Sequence, residues 1–417
     1  VSYGLSRRTD RPSLGQRSFQ HVGFGRDLEL PDKSSLLVVG PTQVGKTSSF
    51  VIPALLRWSD ALVVASVKRD VVDATLRWRS SLGDVQILEP GLSKGLTWDP
   101  LEDVTSFRRG IEVARNLTLA PSSHSSGETE FWNTMAVKLL GALFTLTKAR
   151  GGSIYDVVQT LESRSFFSTP DAPDEVMRAL DAFGAHEGRT RDAVSTTAEA
   201  MLLPWHFSQP LAKVHGVLEG ANTLYLCAPR HNQRHYEGLF RGALGAVFEE
   251  QQRRFELGER RRLLMVLDEA AAISPLDDLD QLAATVSGMN VTLVTIFQDF
   301  AQIEARWPER AATIVNNHVT RVVFGGLLDP RAPTYLPEVF TTPEGKSPRD
   351  IRRWPRGSAI VVSGRLPLFS VRLRPWWKQR ALRAKGDHES LTTMPLWSST
   401  IPPIPSGRSS RGRSLTR

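Results

Sequence analysis

The stretch Gly40-Pro41-Thr42-Gln43-Val44-Gly45-Lys46-Thr47 has the spacing G-x-x-x-x-G-K-T. Glycines at both ends let the backbone bend until its N–H groups converge, which suits phosphate oxygens. The stretch follows the apolar run Leu36–Val39 and opens a helix-like segment reaching Trp58. The positive end of a helix dipole therefore adds to the cradle. Gly40, Pro41, Thr42, Gln43, Val44, Gly45, Lys46, Thr47 and Ser48 are the expected nucleotide-binding residues. Lys46 is the expected point charge on the β and γ phosphates of ATP, and the Thr47 hydroxyl the expected ligand of Mg2+. A plain glycine turn is the alternative, and the strand–turn–helix context argues against it.

Hydrolysis at such a loop requires carboxylates at the end of a nearby strand. The run Leu263–Leu267 ends in Asp268-Glu269. Asp268 is expected to complete the magnesium shell, and Glu269 to orient or deprotonate the attacking water. Acids commonly start helices, so the pair gains its meaning from the P-loop beside it. The next apolar run, Thr292–Phe297, ends in Gln298. An amide there can contact the γ-phosphate or the water, and a capping or surface glutamine is the competing reading. The expected catalytic set is thus Lys46, Glu269 and Gln298, with Thr47 and Asp268 on the metal.

Other chemistry fits less well. His231 and His235 are four apart, but Asn232 stands where a His-Glu-x-x-His zinc site has its glutamate, so a helix start is the better reading. Cys227, the lone cysteine, lies in the apolar run Thr223–Ala228 and reads as a small buried hydrophobe rather than a nucleophile. A single thiol has no internal disulfide partner, which fits a reducing compartment.

These residues need a rigid frame. The 417 residues are 41% hydrophobic and 23% charged, a globular rather than a disordered composition. A formal charge of +8 and a pI near 9.8 favour an anionic partner, either nucleic acid or an acidic membrane face. No run reaches the roughly 18 apolar residues of a membrane span; Phe131–Leu146 is broken by Lys138 and flanked by Glu130 and Lys148. No signal peptide is visible, and the first residue is Val1, so an anchor upstream stays open.

Strands are expected at Leu36–Val39, Ala61–Ala65 and Val85–Leu88, and again at Thr223–Cys227, Leu263–Leu267 and Val291–Ile296. Three more follow at Arg321–Phe324, Ala359–Val362 and Ser370–Leu373. Their alternation with helical stretches predicts an α/β fold with a largely parallel central sheet. Between 102 and 217 no convincing strand appears. Phe131, Met135, Leu139, Ala142 and Leu146 follow a helical period, widened by Trp132, Leu140, Leu143 and Phe144, which predicts a deeply placed helix. The segment Pro121–Gly127 reads as a mobile loop.

The expected organisation is therefore a basic arm at 1–32, a nucleotide-binding domain at 33–101 and 218–378, an all-helical insertion at 102–217, and a disordered basic tail at 379–417. The arm carries Arg7, Arg8, Arg11, Arg17 and Arg26, and no acid follows Glu389 in the tail.

The ordered set of motifs resembles a family. After the P-loop come Ser66-Val67-Lys68-Arg69-Asp70, Trp98-Asp99-Pro100-Leu101 and Glu130-Phe131-Trp132. Val266–Ala270, Ile296–Gln302 and Val323–Gly326 follow. This set, over about residues 35 to 378, looks like the type IV coupling proteins of conjugation and type IV secretion, within the FtsK–HerA motor class. The resemblance implies a RecA-like P-loop ATPase domain, ATP and Mg2+ as cofactors, and a ring, usually hexameric, that moves single-stranded DNA. It also implies a gatekeeper that hands a relaxase or effector proteins to a type IV secretion channel, at the cytoplasmic face of the cell membrane, with membrane association through a segment or partner outside this chain.

Departures from the family pattern are visible. Membrane helices usual at the N-terminus are not seen, and Arg69 stands where many members have glycine. Related motors place an arginine finger before the strand bearing the glutamine; here that segment is Ser287-Gly288-Met289-Asn290. Arg310, with Arg306 and Arg321 behind it, is the candidate finger acting on a neighbouring subunit, and Arg26 and Arg69 are further options. Two alternatives stand beside the coupling ATPase: a docking adaptor that binds nucleotide with little turnover, and another DNA translocase of the same class.

Overall fold

The computed structural model describes residues 13–17, 27–29, 33–91, 95–118, 127–164, 173–228, 233–273, 276–340, 353–364 and 369–386. Its spine is an eleven-stranded sheet. The strands in chain order are β1 (Ser13–Arg17), β2 (Asp27–Glu29), β3 (Ser35–Val39), β4 (Ala61–Ser66) and β5 (Val85–Leu88). Two-residue strands β6 (Thr97–Trp98) and β7 (Leu211–Ala212) pair only with each other. Then come β8 (Thr223–Cys227), β9 (Leu263–Leu267), β10 (Val291–Phe297), β11 (Thr320–Phe324), β12 (Ser358–Ser363) and β13 (Phe369–Arg372). The spatial order is β2-β1-β13-β12-β11-β3-β10-β9-β4-β8-β5. From β11 to β5 the neighbours are parallel; β12, β13, β1 and β2 extend the sheet antiparallel.

The central strands are continuous apolar runs because both faces are covered. β3, β4, β9 and β10 are buried along their whole length. Alternate residues face opposite layers. Leu36 and Val38 pack with Phe50, Leu55, Trp58 and Val71, from the P-loop segment, α1 (Ile52–Arg57) and α2 (Asp70–Ser80). Leu37 and Val39 face the other core, with Leu239, Phe240 and Leu244.

Those last three lie on the long helix Gln233–Glu256. Between β6 and β7 the described residues form five α-helices: α3 (Phe107–Asn116), α4 (Gly127–Ala149), α5 (Ile154–Ser163), α6 (Asp174–Gly184) and α7 (Gly188–Met201). The helix after β8, Gln233–Glu256, is α8. α4 is the hub, packed against all four others. A Cβ on Gly110 of α3 would lie 2.7 Å from the Gly141 carbonyl of α4, so two small residues permit this close crossing.

Several expectations need correction. The stretch 1–32, read as an arm, contributes β1 and β2 to the sheet edge; strands this short and polar have no apolar run to betray them. The insertion is helical apart from β7, whose Leu211 and Ala212 pair with Thr97 and Trp98. Leu139, Ala142 and Leu146 are buried as their period predicts, but Phe131 is half exposed, because the first turns of α4 project beyond its partners.

The basic tail begins later than residue 379. A helical turn, Arg380–Arg383, buries Leu382 against Ile52, Leu56 and Trp376. The tail beyond residue 386, the loop expected at Pro121–Gly127 up to residue 126, and His231 lie outside the described residues. Among the described residues, no helix is long and apolar enough to cross a membrane.

Candidate functional site

Parallel pairing sets the site. Val39 is opposite Phe297, Leu267 opposite Thr295, and Ala65 opposite Leu267. The carboxyl ends of β3, β10, β9 and β4 therefore share one edge, where crevices form in open parallel sheets. The P-loop leaves β3 at that edge. Its Gly40 N–H donates to the Phe297 carbonyl at 3.2 Å, and a Cβ on Gly40 would sit 2.6 Å from Phe324 Cβ, so only glycine fits. Gln43 and Gly45 take φ of 64° and 103°. Left-handed residues among right-handed ones turn successive N–H groups inward, making an anion nest. Thr47–Val51 then form a wide π-turn, with the Ile52 N–H donating to the Thr47 carbonyl, before α1 continues.

Lys46 is 8% exposed. Its ammonium donates to the Pro41 carbonyl at 2.8 Å and to the Gly40 carbonyl. Burial pulls its pKa down to about 8, opposed by the charges of Asp268 and Glu269. Asp268 directly follows β9 and is 3% exposed; the Ser66 hydroxyl donates to its Oδ2 at 3.2 Å. Burial first and the Glu269 charge second push the Asp268 carboxyl up to about 6. Glu269 has a φ of 61°, an uncommon conformation for a non-glycine residue and one concentrated at functional sites.

These groups line one cleft of about 360 Å3, within the range of small-ligand sites. From the P-loop side come Thr42, Gln43, Gly45, Lys46, Thr47 and Ser48, with Pro41 beside them. Asp268 and Glu269 line it with them, and their charges act on Lys46. Gly40 and Val44 shape the loop from behind: Gly40 through its carbonyl to Lys46, and Val44 through its carbonyl, which accepts the Gly357 N–H at 3.1 Å. Gln298 follows Phe297 directly and is therefore close to Gly40, but it is not among the residues lining the cleft. Its N–H donates to Gln302 Oε1 at 2.9 Å.

Six further cleft residues, Ile52, Lys68, Asp70, Arg356, Trp376 and Trp377, are given no role in the site from the sequence. Lys68 and Asp70 enter from the segment after β4. The Oδ1 of Asp70 is buried and has no hydrogen-bond partner among the described residues, and burial raises its carboxyl pKa. Arg356 and Trp377 enter from the turn before β12 and from beyond β13. Lys68 and Asp70 were findable, since their motif follows the strand beside β9. Arg356 and Trp377 were not, because only the β12–β13 hairpin brings them there.

The candidate finger residues Arg306, Arg310 and Arg69 have partners within the chain. Arg306 pairs with Glu237, Arg310 with Asp280 at 3.0 Å, and Arg69 with Glu89 and with Asp73 at 3.4 Å. Arg321 lies on β11, and Arg26 lies outside the described residues. His235 is an exposed residue of α8, and Cys227 is buried, with its thiol pushed up to about 12 by burial.

Comparison with known proteins decides the family. The family described as "Type IV secretory system Conjugative DNA transfer" matches residues 7–203, and "TraM recognition site of TraD and TraG" matches residues 262–344. The two matches together span about two thirds of the chain. The chain belongs to the type IV coupling proteins. Conjugal transfer protein TraG of Escherichia coli is 22% identical over 318 residues, 65% of this chain and 49% of TraG. VirD4 of Rhizobium rhizogenes is 22% identical over 338 residues, 75% of this chain and 50% of VirD4. The coupling protein thus spans about half the length of the curated relatives it matches.

The fold is that of the bacterial conjugative coupling protein TrwB, with a TM-score of 0.66 at 18% identity, covering 89% of both chains. TrwB has also been solved with ADP and Mg2+, at a TM-score of 0.65 and 18% identity, covering 89% of this chain and 90% of that one. The architecture is a RecA-like P-loop fold whose largely parallel sheet is interrupted by the helical insertion.

Proposed function

We propose that this coupling protein binds ATP and Mg2+ in the cleft, hydrolyses the ATP, and uses the energy to move single-stranded DNA, with a relaxase or effector protein, into a type IV secretion channel. One observation carries the reading: Lys46, Thr47, Asp268 and Glu269, from distant parts of the sequence, line one cleft. The donor set fits the ligand. A nest with a lysine at a helix start suits a triphosphate. One hydroxyl and one carboxylate suit Mg2+, which keeps waters and takes its other oxygens from phosphates.

Each residue has a derivable part. Lys46 holds the β and γ phosphates as a point charge. Thr47 and Asp268 hold the metal, and Ser66 orients Asp268 through its hydroxyl. Glu269, turned by its left-handed backbone, accepts a proton from the attacking water. Mg2+, when bound, neutralises charge on the β and γ phosphate oxygens. Gln298, next to Gly40, senses the phosphate through the loop.

The ring reading remains part of the proposal: a homohexamer at the inner face of the cell membrane, joined to it through a segment or partner outside this chain. The adaptor reading keeps one observation in its favour. Residues 287–290 contain no arginine, and Arg306 and Arg310 are engaged within the chain. Basal turnover is therefore expected to be low and to rise with DNA. Phosphate release measured with and without single-stranded DNA tests this; no release in either condition favours the adaptor.

A further inference from the structure

Charged and apolar groups share the cleft. Lys46, Lys68, Asp70, Asp268, Glu269 and Arg356 line it together with Ile52, Trp376 and Trp377. A nucleoside triphosphate carries the same two kinds of surface, charged at the phosphates and flat and apolar at the base. Ile52 opens α1, the helix that follows the P-loop, and the two tryptophans pack with it, so the apolar lining is one cluster built on the element that would hold the phosphates.

The aromatic residues are closely packed. Trp376 is fully buried beneath Trp377, their rings edge-on at 82° with centroids 6.0 Å apart. The segment carrying them is fastened to α1 at several points. Arg57 donates to Gln379 Oε1 at 2.7 Å, and Lys385 donates to the Leu56 carbonyl at 3.1 Å. Leu382 packs on Ile52 and Leu56. Arg356 is held from the other side, since the N–H of the following residue, Gly357, donates to Val44 of the P-loop. Trp377 thus sits on a segment packed against α1, and Arg356 one residue from a contact with the P-loop, which limits the ordering cost of binding.

Resting on the nucleotide reading above, we infer that Trp377 is the base-stacking residue of this coupling protein and that Arg356 supplies positive charge to the phosphates from the same chain. A heterocycle has a π-face whatever its hydrogen-bonding edge, so stacking adds affinity without choosing strongly between purines. Arg356, one residue from the contact with Val44, adds charge that a phosphate chain meets with or without a base.

The test compares two probes, MgATP and magnesium tripolyphosphate, which shares the phosphates and lacks the base. Equilibrium binding is measured with the full chain, using W377L, W377F and R356A. Leucine keeps apolar volume at position 377 and removes the flat face; phenylalanine keeps a ring. The expected result is a roughly tenfold loss of MgATP affinity in W377L, little loss in W377F, and unchanged tripolyphosphate binding in both. R356A weakens both ligands by a similar factor. MgATP binding in W377L equal to the parent's overturns the stacking assignment while leaving the nucleotide reading intact. Equal weakening of both ligands in W377L overturns it too, because a merely structural role would act on both. A parent chain that binds neither probe overturns the nucleotide reading and this inference together.

Discussion

The Ser66 hydroxyl at the end of β4 donates to Oδ2 of Asp268, the residue just after β9, 3.2 Å away and 202 residues distant in sequence. Asp268 is almost fully buried, so this bond fixes which way its carboxylate faces. Groups that orient a metal-binding carboxylate typically change metal affinity by 10–100-fold when removed. Ser66→Ala is therefore expected to raise the Mg2+ midpoint for ATP hydrolysis by about tenfold or more, with metal-free nucleotide binding little changed. A magnesium titration checks this, and an unmoved midpoint would remove Ser66 from the site.

The paired arginines yield a second expectation. Glu237 is 7% exposed and faces Arg306. Removing the guanidinium leaves a buried carboxylate unpaired. Because Arg306 itself is partly solvated, the loss of stability in Arg306→Ala is expected to be about 1–3 kcal/mol, below that of a fully buried pair. Combining it with Glu237→Gln should recover much of the loss. Arg310→Ala, by contrast, breaks a more exposed pair with Asp280 and should leave DNA-stimulated turnover unchanged. Melting curves and phosphate release read both; a collapse of turnover in Arg310→Ala would reinstate it as a finger.

Much of the frame was legible in the residues. The nine strands read from apolar runs occur within one residue of their observed bounds, because central parallel strands are buried on both faces and show as unbroken Val, Ile and Leu. The P-loop and Asp268-Glu269 were legible because each sits where such a strand stops. What escaped was set by long-range pairing. The polar strands Ser13–Arg17 and Asp27–Glu29 exist only because β13 offers them an edge. The chain from residue 379 looked like a tail, and only the packing of Leu382 on α1 shows that it stays folded through Gly386.

A buried histidine makes stability depend on pH. His318 is fully buried. Its Nδ1 is 2.6 Å from the Ile314 carbonyl and its Nε2 2.7 Å from the Thr295 hydroxyl. The carbonyl takes the one ring N–H of the neutral form, so Nε2 accepts from Thr295. Burial holds the pKa down to about 4, against about 6.5 in an unfolded chain. The folded form therefore binds this proton less readily. Its stability is intact above pH 6.5 and falls as pH drops towards 4, by about 3 kcal/mol in total. His318→Gln, which cannot titrate, should flatten that part of the profile in melts between pH 7.5 and 4.5. An unchanged slope in the variant would assign the acid loss to other groups.

The basic surplus bears on DNA. Counterion release makes phosphate-backbone binding fall steeply with salt. A chain ending at residue 386 keeps the segment packed on α1 and removes a stretch that carries arginines at 408, 411, 413 and 417. It is expected to bind single-stranded DNA more weakly than the full chain, with a shallower salt dependence, while MgATP binding is unchanged. Fluorescence titration at several salt concentrations measures this. Identical slopes for both chains would place the DNA contacts wholly outside the tail.

The central claim is that Lys46, Asp268 and Glu269 form one ATP-hydrolysing site, and a pair of variants tests it most directly. Lys46→Ala removes the charge on the β and γ phosphates; Glu269→Gln removes only the group that takes a proton from water. Equilibrium MgATP binding and phosphate release are measured for both, with single-stranded DNA present. The account predicts that Lys46→Ala loses both, and that Glu269→Gln binds MgATP within a fewfold of the parent while turnover falls by at least about 10²-fold. Parent-like turnover in Glu269→Gln, or parent-like binding and turnover in Lys46→Ala, would contradict it.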